Sequence, residues 1–161
     1  MRQELSKKWS NYYFYYILIL IFCGVFILYH KHDVGNDSSI SDWLINYSGG
    51  FVRRGLIGQV VLEFSYFFSI KLREAIVIFQ IISFTVYYLL VFFLLRKIIT
   101  NRLLILSIFS PIFILFPIAE IEAFGRKEML IFLIIALYFF MNIRDIKTQL
   151  IFTIIIFPIS I

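Results

Sequence analysis

The side chains best suited to bind an anion are Arg53 and Arg54, in the polar stretch NYSGGFVRRGLIG from Asn46 to Gly58. Guanidinium groups present forked N–H donors that match the oxygens of a phosphate. Three glycines beside the pair allow the backbone itself to approach a ligand: Gly49, Gly50 and Gly55. The pattern predicts a cradle for a phosphate or pyrophosphate. The alternative is that both arginines pair with lipid headgroups or with nearby aspartates.

A second charged stretch, EIEAFGRKE, spans residues 120–128 between two apolar blocks. It holds two carboxylates, Glu120 and Glu122, and a second cationic pair, Arg126 and Lys127. Ionisable groups this close to an apolar block are costly to bury and are usually functional. The stretch is therefore a second candidate for phosphate binding, and the alternative is a solvated turn with charges at the helix ends.

Metal ligands are suggested by the stretch His30-Lys31-His32-Asp33. Two imidazoles at positions i and i+2, followed by a carboxylate, are side chains that bind zinc and related ions. The alternative is that both histidines are ordinary residues at the end of an apolar segment. The spacings of nucleotide-binding loops, catalytic triads and zinc proteases do not occur in the sequence.

The elements that position these residues are mostly apolar. Apolar residues make up 61% of the 161 positions and charged residues 16%, against about 45–50% and 25% in soluble domains. The apolar residues fall in blocks, which is the pattern of a membrane protein. The net charge of +5 comes from small basic clusters beside the blocks, which predicts membrane orientation and no nucleic-acid partner. The single cysteine, Cys23, forms no disulfide within the chain.

Four apolar blocks are predicted to be transmembrane helices: residues 12–29, 75–95, 103–119 and 129–143. A fifth block, residues 150–161, is too short to cross a bilayer, because a helix needs about 20 residues for that. The predicted fold class is all-α, a polytopic membrane protein with about 4–5 transmembrane helices. Because the last crossing is incomplete, we expect a fragment of a longer polytopic protein. The alternative is a small protein whose last helix dips into the membrane and stops.

The placement of the charges predicts that the N-terminus, residues 1–11, is cytoplasmic. The loops 96–102 and 144–149 then lie inside and are short and basic, whereas the segments 30–74 and 120–128 lie outside and carry nearly all the acids. Both charged stretches are therefore expected on the same, outer side of the membrane.

The first outer segment is predicted to contain an amphipathic helix over residues 56–69. One side of this helix is apolar: Leu56, Ile57, Val60, Val61, Phe64, Phe67 and Phe68. Such a helix between two transmembrane spans is expected to lie in the outer membrane interface, and the alternative is that its apolar side packs against the bundle. A shorter helix is expected to begin at Trp43, with Ser41 or Asp42 as its N-cap.

This arrangement resembles the N-terminal part of GT-C-type glycosyltransferases and the O-antigen polymerases of bacterial surface-polysaccharide clusters. The motifs that carry the resemblance are DWLINYSGGFVRRGL, from Asp42 to Leu56, and FGRKE, from Phe124 to Glu128. The resemblance implies a protein of the bacterial inner membrane that acts on a polyprenyl-phosphate-linked sugar, with membrane lipid around it.

The resemblance also implies roles for single residues. An acid in the first outer loop would act as catalytic base or as ligand to a divalent metal ion, and the matching position is Asp33, Asp37 or Asp42. A further catalytic candidate, the acid of the second outer loop, is matched by Glu120 or Glu122. The cationic residues that would hold the lipid phosphate are Arg53, Arg54, Arg126 and Lys127. Such enzymes have many more spans, so this chain is expected to lack half of the site and to be inactive by itself.

Two other classes of function stay open from the sequence. One is a non-enzymatic scaffold or subunit whose outer loop binds a partner membrane protein or lipid headgroups. The other is a fragment of a transporter. Against a transport pathway, the polar residues within the spans are mild and no charge lies mid-span: Gln80, Ser83, Thr85 and Ser107.

Overall fold

The computed structural model describes residues 2–34, 38–50, 55–96, 125–141, 149, 150 and 154. Within these ranges the chain forms α-helices and turns and no strand, which confirms the all-α class. The helices are α1 (Arg2–Val34), α2 (Ser38–Leu44), α3 (Gly55–Phe68), α4 (Leu72–Leu95) and α5 (Glu128–Met141).

The observed helices differ in length from the predicted ones. α1 extends beyond the predicted span 12–29 at both ends, and it includes the residues from His30 to Asp33 that the sequence placed in a loop. α2 ends one residue after Trp43, so the prediction that a helix begins at Trp43 is wrong. α3 lies within one residue of the predicted 56–69 at each end.

Two helices in the described ranges are long and apolar enough to cross a membrane, over Trp9–Asp33 and Leu72–Leu95. This is fewer than the roughly four to five spans that the sequence predicts. α5 takes the place of the predicted span 129–143 and is about 21 Å long, which is shorter than a hydrocarbon core of about 30 Å. The predicted span 103–119 lies outside the described residues, as does nearly all of the block 150–161.

α4 lies at the centre of this group of helices and contacts α1, α2, α3 and α5. It runs antiparallel to α1, because the ring of Phe92 lies 5.5 Å from that of Tyr13, whereas Arg73 at the start of α4 contacts His32 near the end of α1. Between these points the two helices share a core with helical spacing: Tyr13, Ile17, Leu20 and Leu28 against Phe84, Tyr88 and Phe92.

α5 runs parallel to α4. The ring of Tyr87 lies 6.4 Å from that of Phe132, and the ring of Phe93 lies 6.3 Å from that of Phe140. The C-terminus of α1 and the N-termini of α4 and α5 therefore meet at one end of the bundle, which we call the upper end.

A second core joins α2 and α3 to the first turns of α4: Ile40, Trp43, Val61, Ala75 and Ile76. The turn between α3 and α4 sets how these helices meet. Ser69 has a φ of 54°, its N–H donates to the carbonyl oxygen of Tyr66 at 3.2 Å, and the N–H of Ile70 donates to that of Ser65 at 3.1 Å. This is the Schellman pattern, which ends α3 and satisfies its last carbonyl groups.

α3 packs through a face that overlaps the predicted apolar side only in part, because Val61 belongs to both, whereas the small residues of the packed face do not. Its buried residues are Gly55, Gly58, Val61 and Ser65. Of the predicted apolar side, Ile57 and Phe64 pack against the second core, whereas Val60, Phe67 and Phe68 are exposed. The packed face is thus rotated by roughly a third of a turn from the predicted one. Small residues occupy this face because they let two backbones approach closely.

Gly58 is the point of closest approach on α3. A Cβ atom there would overlap the carbonyl group of Ile45 and would lie 2.8 Å from the carbonyl oxygen of Trp43. Because backbone atoms cannot move aside as a flexible side chain can, only glycine fits this position. The segment that follows α2 therefore crosses α3 in direct backbone contact.

Candidate functional site

The described candidate residues lie at or near the upper end of the bundle. Asp33 is exposed in the last turn of α1, and Asp42 is half-buried on α2. Arg126 and Lys127 lie in the turn that precedes α5, and both side chains are half-buried. The other candidates lie outside the described residues: Asp37, Arg53, Arg54, Glu120 and Glu122.

The carbonyl oxygen of Gly125 joins three separate parts of the chain. It accepts a hydrogen bond from Nε1 of Trp43 at 2.7 Å and a second from Nε2 of Gln80 at 2.8 Å. Both donor side chains are buried, with 1% of Trp43 and 4% of Gln80 exposed. Gly125 has a φ of 88°, a conformation that glycine adopts without strain. This node, Trp43–Gly125–Gln80, fixes the turn that carries Arg126 and Lys127.

A second contact joins the same two segments. Nζ of Lys127 lies 3.5 Å from the carbonyl oxygen of Ile45, which it reaches as a donor. That carbonyl group is the one packed over Gly58 of α3. The two stretches that the sequence singled out, around Trp43 and around Arg126, are therefore in direct contact.

The side chain of Arg126 lines a largely enclosed cavity beneath its own turn. The cavity admits about one water-sized group, and its other lining residues come from the same turn and from α1, α2, α4 and α5: Leu28, Trp43, Gln80, Ser83, Phe84, Gly125 and Met129. Nε of Arg126 is buried and has no hydrogen-bond partner among the described residues. A buried guanidinium N–H without an acceptor is costly. This N–H group is therefore suited to donate a hydrogen bond to an oxygen atom of a ligand.

The described part of the glycine-rich stretch is a tight turn that satisfies its own polar groups. Oδ1 of Asn46 accepts hydrogen bonds from the N–H of Ser48, at 2.9 Å, and from its hydroxyl group. The N–H of Gly50 donates to the carbonyl oxygen of Tyr47 at 3.0 Å, and Gly50 has a φ of 115°. The ring of Tyr47 covers Gly55 at the start of α3. The turn leads directly to the segment that holds the two arginines.

The predicted metal ligands do not converge in the structure. His30 and His32 lie in α1, where two residues at positions i and i+2 are separated by a rotation of about 200° around the helix axis. Their side chains therefore point to opposite sides of the helix. Arg73 also contacts His32: its Nη2 donates to the carbonyl oxygen at 2.6 Å, and its Nε donates to Nδ1 at 3.3 Å. The described residues contain no group of three or more His, Cys, Asp or Glu side chains arranged to hold a metal ion.

The residues that hold the site together are not among the predicted site residues. From the sequence, Gln80 is only a mild polar residue within a span, and Trp43 is only the expected start of a helix. The signal for Gln80 was available, because a polar side chain within an apolar helix usually faces a partner inside the bundle. Its partner is a backbone carbonyl group 45 residues away, and no side-chain pattern marks such an acceptor.

The arrangement at the upper end is a turn with two cationic side chains, held by buried hydrogen bonds beside a small cavity. Such a turn can bind an oxyanion. A scan against protein-family models finds no match for this chain, and searches of the curated proteins and of the solved structures find none either.

Proposed function

We propose that this chain is a multispanning membrane protein of bacterial surface-polysaccharide assembly, which binds the phosphate of a polyprenyl-linked sugar at its outer end. The observation that carries the proposal is the node at Gly125, because it holds Arg126 and Lys127 against the segment that follows Trp43. The upper end of the bundle is, in this proposal, the outer end.

The uncovered apolar surface of α1 supports a location in the membrane. Ile19, Phe22 and Phe26 are 60%, 73% and 62% exposed. In the most apolar 18-residue stretch of each long helix, only 28% of the stretch in α1 and 44% of the stretch in α4 is buried. A large apolar side chain left in water forfeits about 1.5–3 kcal/mol, whereas lipid acyl chains cover such a surface without that cost.

The directions of the helices support a multi-pass topology. α1 and α4 run in opposite directions, and α5 runs in the same direction as α4. In the proposed topology the block 103–119 crosses the membrane between α4 and α5, and the N-terminus is cytoplasmic. The proposed place of α3 is the outer interface, where Phe67 and Phe68 on its uncovered side would enter the lipid.

In the proposed reaction, for which this chain would supply one part of the site, an acceptor hydroxyl oxygen attacks the anomeric carbon of the sugar, and the bond from that carbon to the lipid phosphate breaks. The proton of the hydroxyl passes to a carboxylate, for which Asp42 and Asp33 are the described candidates. The negative charge of the departing phosphate is stabilised by Arg126 and Lys127, with Arg53 and Arg54 proposed as a second pair.

The proposal is tested by binding in nanodiscs of neutral phosphatidylcholine. We expect the chain to bind farnesyl diphosphate and not farnesol, which has the same chain and no phosphate. Arg126→Gln should weaken binding about tenfold to a hundredfold, since a hydrogen bond to a charged group contributes about 1.5–3 kcal/mol. The matched control is Arg96→Gln, because Arg96 is exposed at the opposite end of the bundle, against the ring of Phe93.

Three results would contradict the proposal. Equal affinity for farnesol and farnesyl diphosphate would show that only the apolar chain is recognised. Unchanged affinity in Arg126→Gln would remove this turn from the site. Equal binding of phosphatidylglycerol would instead favour a non-enzymatic protein that holds lipid headgroups.

A further inference from the structure

The cavity beneath Gly125 is small, mostly apolar and in contact with a cationic group. Its apolar lining includes Leu28, Phe84 and Met129. Its polar lining includes the buried side chains of Gln80 and Ser83. Since the cavity admits about one water-sized group, a whole phosphate does not fit, but a single oxygen atom does.

We infer that one non-bridging phosphoryl oxygen of the ligand enters this cavity and accepts a hydrogen bond from Nε of Arg126. The inference rests on the proposed function and adds a binding mode to it: the phosphorus atom stays at the mouth of the cavity and one oxygen is buried. The ligand is then a phosphate ester or diphosphate with a free non-bridging oxygen.

The surroundings of Arg126 favour a charged oxygen in this position. A hydrogen bond between two charged groups gains strength where few polar atoms compete for it. The other N–H groups of the guanidinium remain for the oxygens outside, because the side chain of Arg126 is only half-buried. The hydroxyl group of Ser83 and the second amide N–H of Gln80 are further donors in the cavity lining.

The inference is tested by filling the cavity from α4. Ser83→Val replaces the hydroxyl group of a buried side chain that lines the cavity by a methyl group and adds a second methyl group. We expect at least tenfold weaker binding of farnesyl diphosphate. Thr85→Val is the matched control, since it introduces the same side chain two positions along α4, outside the cavity lining. Wild-type affinity in Ser83→Val would overturn the inference. It would mean that the cavity holds a water molecule and no oxygen of the ligand.

Two further variants keep the test decisive if Ser83→Val does not fold. Met129→Phe fills the same cavity from α5, and the same tenfold loss is expected. Arg126→Lys keeps the charge but has no Nε–H at this position, so it should bind nearly as weakly as Arg126→Gln. Wild-type affinity in either of these variants would equally contradict the inference.

The failures of the inference and of the proposed function are distinguishable. Weak binding in Arg126→Gln with wild-type affinity in the filled variants removes only the cavity from the binding mode. Wild-type affinity in all of them removes the proposed function as well. Inorganic pyrophosphate separates a free phosphate from a lipid phosphate: binding as tight as that of farnesyl diphosphate would contradict the lipid-linked ligand and keep the buried oxygen.

Discussion

The indole N–H of Trp43 donates a hydrogen bond of 2.7 Å to the carbonyl oxygen of Gly125, which lies 82 residues further along the chain. This bond ties α2 to the turn before α5, and Gln80 of α4 donates to the same oxygen. The position of the cationic turn thus depends on two buried side chains that carry no charge. Because both side chains donate to one acceptor, substitution of each donor measures its contribution to the free energy of unfolding.

Trp43→Phe should destabilise the protein by about 1–3 kcal/mol, because it removes the N–H donor and leaves a buried carbonyl group with one partner fewer. Phenylalanine keeps one six-membered ring in place of the indole, so part of the packing in the second core is lost as well. Thermal unfolding in detergent measures the loss. The control is Trp9→Phe, since Trp9 is exposed near the start of α1 and its substitution should change stability little. Equal effects of the two substitutions would contradict a structural role for the bond to Gly125.

Gln80→Leu combined with Trp43→Phe should show coupling. Either substitution alone leaves the Gly125 carbonyl group with one donor, and the two together leave it with none. We therefore expect the double variant to be less stable than the sum of the single variants by about 0.5–3 kcal/mol. A double-mutant cycle on unfolding free energies gives this coupling directly. Strict additivity would mean that the two bonds act independently and that the carbonyl finds water in their place.

The sequence predicted the position of α3 within one residue, because its pattern is local and continuous. It did not predict the whole of the packed side, since Gly58 looks like a polar-side residue until a backbone segment is known to cross it. The two charged stretches were both recognised, but their contact was not. Trp43, Gln80 and Gly125 meet only through tertiary structure, and a carbonyl acceptor has no signature in side-chain types. The helical state of His30 and His32 was also missed, because their polar side chains look like the start of a loop, although Gly35 directly follows α1 in the sequence.

Gly58→Ala should be strongly destabilising, by at least about 1–3 kcal/mol. Its Cβ would overlap the carbonyl group of Ile45, and relief requires α3 to move away from the segment after α2. The matched control is Gly49→Ala, because a Cβ at Gly49 meets no atom within 4 Å. Unfolding curves of the two variants in the same detergent decide the point. A Gly58→Ala protein as stable as Gly49→Ala would show that α3 does not pack against Ile45 in this way.

Ser69→Gly should stabilise the protein by roughly 0.4–1 kcal/mol. Ser69 has a φ of 54° at the end of α3, a left-handed conformation that costs less for glycine than for a residue with a Cβ. The increase is read as a higher unfolding temperature. Ser48→Gly is the comparison, because the φ of Ser48 is not positive. Its hydroxyl group donates to Oδ1 of Asn46, so removal of this side chain should not stabilise the protein. A lower unfolding temperature for Ser69→Gly would rule out the left-handed turn.

The uncovered side of α3 makes a prediction about depth in the membrane. Phe67 is 82% exposed and Phe68 is 55% exposed, next to Val60 on the same helix. If α3 lies in the interface, a nitroxide at position 67 enters the lipid, because this side of the helix faces away from the second core. The variant Phe67→Cys is made in a Cys23→Ala background and spin-labelled in nanodiscs. We expect its signal to relax with oxygen, which concentrates in lipid, more than with a water-soluble nickel chelate.

A label at Lys71→Cys, which is exposed in the turn after α3, should show the opposite preference. Equal access of the nickel chelate to both labels would mean that α3 stands in water and that its aromatic side is covered by some other partner.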